Sequence, residues 1–189
     1  MEKNRPISTK RIVIAALMAA LTVAGSAMRI TLPLEVAGTT SFHLGNIMCA
    51  LSGILLGPWL GGLAAGLGSA IYDMMNPLYI SECWITFLTK GAYGLAAGLV
   101  AWSGQKKWNY SKATAATVAG ALTYAALYLS KSYFYSGLLM KGLTPEAALL
   151  GVISKLPATT FNAVIAIVCA PFLAVNIRKA LEENRLTLE

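Results

Sequence analysis

Long runs without a charged residue constrain this chain more than any other feature of its sequence. These runs cover residues 12–28, 36–72, 91–105, 113–130 and 156–177. A helix that crosses a bilayer needs about 20 mostly apolar residues. Charged residues make up only 12% of the chain, against about 25% in soluble domains, so too few polar side chains remain to cover a water-facing surface. The sequence therefore predicts an all-α integral membrane protein.

The run from 36 to 72 is too long for one membrane span. As a single helix it would reach about 55 Å, nearly twice the thickness of the hydrocarbon core. Gly57 and Pro58 lie in its middle, and this pair is typical of one helix ending and another beginning. We therefore predict a helical hairpin, with a re-entrant loop as the alternative. The six predicted spans start from the run at 12–28 and continue with 43–57, 58–75, 83–103, 113–136 and 152–177.

The basic residues predict the topology of these six spans. If the N-terminus is inside, ten of the fifteen Lys and Arg residues lie in cytoplasmic segments: Lys3, Arg5, Lys10, Arg11, Lys106, Lys107, Lys112, Arg178, Lys179 and Arg185. If 43–75 were not two spans, the 106–112 cluster would lie outside, against the positive-inside rule. We expect one six-helix domain over 1–189, with a cytoplasmic N-terminus (1–10) and C-terminus (178–189). The net charge of +7 then reflects topology, and no nucleic-acid partner is expected.

Small residues recur at a spacing of four along several predicted helices. They include Gly53, Gly57 and Gly61, the pair Gly62 and Gly66, and the pair Gly94 and Gly98. In lipid, helices pack through close backbone approach at such residues. We therefore interpret the glycines as packing contacts within the bundle and not as a ligand site.

The first helix carries a separate face of small residues, formed by Ala15, Ala16, Ala19, Ala20 and Ala24. Such a face either packs inside this chain or docks a helix of another protein. The glycine-rich segment 66–69 lacks the GK[ST] ending of an ATP-binding loop. Any uphill transport would therefore draw its energy from a partner or from an ion gradient.

Polar residues are spaced along one face of each of three helices, near the predicted outer end. Spacings of three and four residues place side chains on one helix face, and ionisable groups within spans are costly and mark functional sites. The alternative is that Lys131 and Lys155 reach the lipid headgroups and that Tyr135 anchors the interface. We predict a substrate site formed by His43, Asn46, Asp73, Glu82, Thr86, Lys90, Tyr128, Lys131, Tyr135, Lys155, Thr159 and Asn162.

Aromatic faces beside hydrogen-bonding groups suit a flat heteroaromatic ligand taken from outside the cell. Lys90, Lys131 and Lys155 favour an anionic ligand group, although Asp73 and Glu82 offset part of that charge. The chain shows no nucleophile–base pair, and its single histidine has no His or Cys partner at metal-binding spacing. We expect no catalytic residue, no metal site and no covalently bound cofactor.

The sequence resembles the S components, or substrate-capture subunits, of energy-coupling factor (ECF) vitamin transporters, and is most similar to the riboflavin-type subgroup. The resemblance covers most of the chain. It rests on the order and spacing of AALMAALT at 15–22, SFHLGN at 41–46, LGPWLGG at 56–62, GSAIYD at 68–73 and TFLTKG at 86–91.

This resemblance implies a non-enzymatic transport subunit in the plasma membrane of a prokaryote. It implies one vitamin or vitamin precursor bound near the outer face, between the last three helices and the external loops. It also implies a transmembrane coupling subunit, which contacts the alanine face of the first helix, and two cytoplasmic ATPases that use ATP to drive reorientation of the S component.

The resemblance leaves the ligand open. Riboflavin is the first expectation, with a pyridoxine-, pyrimidine- or folate-type compound as the alternative. Two other classes of function also stay open, namely an intramembrane enzyme that modifies lipids and an assembly subunit without a ligand.

Overall fold

The computed structural model describes residues 8–34, 38–104 and 109–184. Within these ranges the chain forms six α-helices and one two-stranded sheet. In chain order the elements are α1 (Thr9–Ala27), β1 (Arg29–Leu34), β2 (Gly38–His43), α2 (Gly45–Leu56), α3 (Pro58–Met75), α4 (Cys83–Trp102), α5 (Tyr110–Lys131) and α6 (Pro145–Glu183). A 3₁₀ turn, Ile80–Glu82, precedes α4, and a π-helix, Ser132–Met140, continues α5. The predicted helical fold is confirmed.

Four helical segments of the described chain are long and apolar enough to cross a membrane. They are Thr9–Ala27, Ile80–Trp102, Tyr110–Met140 and Pro145–Glu183. The apolar α2 has only 12 residues, a length of about 18 Å, so it is shorter than the hydrocarbon core of a bilayer.

The break between α2 and α3 lies where the sequence predicts it. Gly57 has a φ of 84°, a left-handed conformation that glycine adopts without steric cost, and Pro58 occupies the first turn of α3. Apart from Met48, every residue of α2 is buried, as expected of a helix that is apolar on all sides. The hairpin therefore places α2 at the centre of the bundle.

Glycines bring the backbones of neighbouring helices into direct contact. A Cβ atom on Gly53 would lie 2.1 Å from the carbonyl oxygen of Gly94, and one on Gly98 would lie 2.5 Å from the Cα of Pro58. No side chain fits at such distances. The interpretation of these glycines as packing contacts is confirmed.

The alanine face of α1 divides into two. Ala15 is buried, and the carbonyl oxygen of Ala19 lies 2.4 Å from the position that a Cβ on Gly68 would take. By contrast, Ala16, Ala20 and Ala24 are exposed. One set therefore packs inside this chain, and the other forms an outward surface.

The basic residues Arg11 and Lys112 lie at the end of the bundle away from the sheet. Arg11 is near the start of α1, about 24 Å along the helix from Ala27, and it donates a 2.8 Å hydrogen bond to the carbonyl of Leu56. Lys112 donates to the carbonyl of Ser103 at 2.6 Å. Of the residues in the topology prediction, Lys3, Arg5, Lys106, Lys107 and Arg185 fall outside the described residues.

Helix α6 is longer than the predicted span at both ends. Thr144 caps its start by accepting a hydrogen bond from the backbone N–H of Ala147. At its other end, Arg178 pairs with Glu182 at 3.4 Å, four residues on. Such caps and i,i+4 pairs stabilise helical turns beyond an apolar segment, so the helix continues into the predicted cytoplasmic tail.

Strands β1 (Arg29–Leu34) and β2 (Gly38–His43) form a two-stranded antiparallel sheet, a β-hairpin, between the first and second predicted spans. Arg29 pairs with His43 and Thr31 with Ser41 in its register. This sheet follows α1 and precedes α2, so it lies over one end of the bundle, which we call the hairpin end.

Candidate functional site

A cavity of about 270 Å³ lies at the hairpin end, between β2, the 3₁₀ turn and the adjoining ends of α3, α4, α5 and α6. Its volume is close to the lower limit of small-molecule pockets, about 300 Å³. The residues predicted from sequence line this cavity, except for Asn46 and Tyr135: they are His43, Asp73, Glu82, Thr86, Lys90, Tyr128, Lys131, Lys155, Thr159 and Asn162. The polar faces of three helices thus meet at one place.

Lys90 and Asn46 form a buried pair at the inner wall of the cavity. The Lys90 ammonium donates a hydrogen bond to Oδ1 of Asn46 and lies 3.9 Å from the centroid of the Tyr124 ring. Lys90 is 5% exposed and Asn46 is 2% exposed. Asn46 is therefore one layer behind the cavity wall, where it orients Lys90.

Three tyrosine rings are stacked from the core towards the cavity. The ring of Tyr93 lies 6.0 Å from that of Tyr124, which lies 5.5 Å from that of Tyr128, and both pairs are within about 22° of parallel. Gly120 makes room for Tyr93, because a Cβ there would lie 2.3 Å from the ring. Tyr124 and Tyr128 line the cavity, so its wall carries aromatic surface.

An ion pair links the 3₁₀ turn before α4 to the end of α5 at the cavity. The Lys131 ammonium pairs with the Glu82 carboxylate, whose second oxygen accepts a 3.1 Å hydrogen bond from Ser136. Lys155 of α6 donates to the hydroxyl of Ser132 at 3.3 Å. Both oxygens of Glu82 therefore have partners, whereas the hydrogen-bond partner of Lys155 in the described part of the chain is a neutral hydroxyl.

Tyr135 does not line the cavity, and its predicted place is corrected. Its ring packs edge-on against Trp84, with centroids 5.9 Å apart. The prediction assumed α-helical spacing from Tyr124, but residues Ser132–Met140 form a π-helix with i→i+5 hydrogen bonds. The wider turn rotates Tyr135 away from the cavity and brings Ser136 to it.

Asn162 fixes the hairpin to α6. Its Oδ1 accepts a hydrogen bond from the backbone N–H of His43 at 2.9 Å, and its Nδ2 donates to the carbonyl of Ser41 at 2.8 Å. The Ser41 hydroxyl also lies 3.1 Å from the hydroxyl of Tyr79. The carboxamide of Asn162 thus attaches β2, the strand that covers the cavity, to α6.

His43 is held in its neutral form at the edge of the cavity. Its Nδ1 accepts a 3.2 Å hydrogen bond from the backbone N–H of Gly45. Burial, followed by the positive charges of Lys90 and Arg29, holds the pKa of His43 well below its usual range. His43 therefore adds no charge to the site at neutral pH.

Arg29 is the main lining residue that the sequence-based prediction omitted. Its guanidinium stacks on two rings, 4.4 Å from the centroid of Tyr72 and 4.7 Å from that of Tyr79. The available signal was an isolated charge at the end of the first apolar run. The other lining residues that were not predicted are Thr40, Ser41, Leu78, Tyr79, Ser81, Ile85, Thr89, Tyr124, Ser136 and Lys141.

Comparison with known proteins gives a family match and a relative. The family model of the ECF-type riboflavin transporter S component matches residues 6–179, a range that includes the hairpin, α1 to α5 and most of α6. A protein of Pyrococcus woesei, described as an uncharacterized protein in gap 3′ region, is 33% identical over 118 residues. The aligned region makes up 62% of this chain and 74% of that protein.

Proposed function

The chain belongs to the family of S components of ECF-type riboflavin transporters, and from this premise we propose that it captures a water-soluble vitamin or vitamin precursor. The single observation that carries the proposal is the cavity at the hairpin end. There, aromatic and polar side chains from the hairpin and four helices surround one space.

The cavity wall supports a flat, heteroaromatic ligand. The rings of Tyr124 and Tyr128 offer aromatic surface, and ring stacking of this kind contributes about 0.5–1.5 kcal/mol per pair beyond the buried area. Thr86, Thr89 and Thr159 line the same space; the hydroxyls of Thr89 and Thr159 donate to carbonyls of their own helices and keep the capacity to accept a hydrogen bond from a ligand. Riboflavin remains the first candidate, ahead of pyridoxine-, pyrimidine- and folate-type compounds.

We further propose that the hairpin end faces the outside of a prokaryotic plasma membrane, with six spans and both chain ends in the cytoplasm. Arg11 and Lys112 lie at the opposite end of the bundle, and basic residues favour the cytoplasmic side. In this arrangement α2, with 12 residues, is a short span that crosses the interior of the bundle, and the chain returns as α3.

Capture is tested with the purified chain in detergent. A panel of water-soluble vitamins and their precursors is screened by thermal shift and by isothermal titration calorimetry. The proposal expects one compound to raise the unfolding temperature and to bind with one-to-one stoichiometry. A panel in which no compound binds would contradict it.

Energy for transport is proposed to come from a transmembrane coupling subunit and two cytoplasmic ATPases. The exposed face of Ala16, Ala20 and Ala24 allows close approach by a partner helix. Ala20→Trp should keep vitamin binding and lose uptake in cells that express the complete transporter. Ala15→Trp, at a buried position of the same helix, is the comparison and should lose both. Unchanged uptake by Ala20→Trp would contradict this use of the surface.

A further inference from the structure

We propose that the captured ligand carries an oxyanion, either a carboxylate or a phosphate, which is bound between the ammonium groups of Lys155 and Lys90. This inference rests on the proposed capture function and refines its ligand: it places an anionic compound, such as the 5′-phosphate of riboflavin, ahead of neutral riboflavin. Its basis is the juxtaposition of two buried cations, from α4 and α6, at one cavity beside tyrosine rings.

The residues around the cavity have an excess of positive charge. Among the described residues that line it, five are cationic, namely Arg29, Lys90, Lys131, Lys141 and Lys155, and two are carboxylates, Asp73 and Glu82. His43 is neutral and changes nothing in this balance. Excess charge of one sign in a partly buried site is unfavourable unless a counter-charge enters. A ligand with negative charge supplies that counter-charge.

Among these cations, Lys155 and Lys90 are the two whose charge is least compensated by a nearby counter-charge. Each is 5% exposed, and in the described part of the chain neither forms an ion pair with a carboxylate. The carboxylate of Glu82 is already bound by Lys131 and Ser136.

The groups in direct contact with these two lysines in the described chain are neutral, and the carboxylates of Asp73 and Glu82 act on them from beyond hydrogen-bond distance. Lys155 has the Ser132 hydroxyl at 3.3 Å and the Tyr128 ring at 5.6 Å, and Lys90 has the Asn46 amide oxygen and the Tyr124 ring. An ammonium group has three donors, so each lysine keeps donors that these hydrogen bonds leave unused.

The burial of both ammonium groups argues against the alternative that they reach lipid headgroups, because a snorkelling lysine keeps its charged end exposed. The neighbouring Tyr124 and Tyr128 rings place aromatic surface beside the same two charges. The ligand class that fits both features is a heteroaromatic acid or the phosphate ester of a heteroaromatic vitamin. A volume of about 270 Å³ favours a compact member of this class.

The test uses matched pairs of probes that differ in charge. Riboflavin is compared with its 5′-phosphate FMN, pyridoxal with pyridoxal 5′-phosphate, and nicotinamide with nicotinate. Each is titrated into the full chain in neutral detergent at low salt. We expect the tightest-binding compound to be anionic and to bind at least tenfold more tightly than its neutral counterpart. This preference should shrink as salt is added.

Two variants assign the preference to the lysines. Lys155→Gln and Lys90→Gln should each reduce the affinity for the anionic probe at least tenfold and change the affinity for its neutral counterpart less than threefold. Lys179→Gln, whose side chain is 74% exposed near the other end of α6, is the control and should change neither. If Lys90→Gln fails to fold, Lys155→Gln alone decides the outcome.

The other outcomes are distinguishable. If a neutral probe binds as tightly as its anionic counterpart, or more tightly, the oxyanion inference is wrong and the capture function stands. If no probe and no other vitamin binds, the capture function fails and the inference fails with it. If phosphatidylglycerol added to the micelles displaces the anionic probe at equal concentration, the cations serve a lipid phosphate, and the inference is overturned.

Discussion

Asn162 of α6 pairs with β2 as a neighbouring strand would, because its side-chain amide accepts from the backbone N–H of His43 and donates to the backbone carbonyl of Ser41. The two distances are 2.9 and 2.8 Å, and Asn162 is 5% exposed. One side chain thereby fixes β2, which covers the cavity, to α6, the helix that also carries Lys155 and Thr159.

Replacing Asn162 by leucine should detach β2 from α6. The change leaves the backbone groups of Ser41 and His43 without their partner, and each unsatisfied buried group costs about 1–3 kcal/mol. We expect ligand affinity to fall at least tenfold, as measured by calorimetric titration. Asn176→Leu is the control, because Asn176 is an exposed residue of the same helix whose side-chain amide donates to the carbonyl of Phe172, one turn earlier. Equal affinities of the two variants would contradict the role of Asn162.

Two tyrosines test the effect of the π-helix. Tyr128→Ala removes an aromatic face from the cavity wall and should weaken ligand binding about tenfold, in line with the value of one stacked ring pair. Tyr135→Ala removes a ring that packs on Trp84 away from the cavity and should leave the affinity within twofold. If Tyr135→Ala lost as much affinity as Tyr128→Ala, both rings would line the cavity, as an α-helical register predicts, and the assignment of Ser136 to it would be wrong.

The stability of the hairpin end should depend on pH through His43. Its pKa is about 6.5 in the unfolded chain and well below that in the fold, so below about pH 6.5 the unfolded state binds more protons. Stability therefore falls as pH drops through this window, by up to about 1.4 kcal/mol per pH unit, and is constant above it. Protonation of Nδ1 also breaks the hydrogen bond from Gly45.

Thermal unfolding between about pH 7.5 and pH 5 measures this dependence. His43→Asn keeps an acceptor for the Gly45 N–H and does not titrate, so its unfolding temperature should fall less than that of the native chain over the same range. The same slope in both proteins would assign the pH dependence to other groups.

Two glycines of the bundle should respond differently to one added methyl group. A Cβ on Gly53 meets the backbone oxygen of Gly94 at 2.1 Å, whereas the nearest atom to a Cβ on Gly91 is 3.5 Å away. Gly53→Ala should cost about 1–3 kcal/mol, the usual cost of overpacking, and Gly91→Ala should be close to neutral. Thermal unfolding in detergent compares them. Equal unfolding temperatures would show that α2 and α4 separate easily.

The features that the sequence predicts well are those set by composition and periodicity. The break at Gly57 follows from one residue that adopts positive φ and one that starts a helix. The convergence of Lys90, Tyr128 and Lys155 follows from helical spacing, because three amphipathic faces in a small bundle have one common interior.

The features that it missed depend on tertiary partners. The sheet of residues 29–34 and 38–43 is completed by Asn162, more than a hundred residues away in the chain, so no local sequence pattern predicts it. The π-helix changes the phase of one turn, which moves Tyr135 out of the cavity and Ser136 into it. Asn46 was predicted as a ligand contact, and it instead holds Lys90 from behind the cavity wall.

We propose that the cavity beneath the β-hairpin holds the captured vitamin, and an experimental structure of the chain purified with a bound vitamin is the decisive measurement. We expect ligand density beneath β2, stacked on Tyr128 and within hydrogen-bonding distance of α6 at Thr159 or Lys155. Ligand density on the outer surface of the bundle, with this cavity left unfilled, would contradict it.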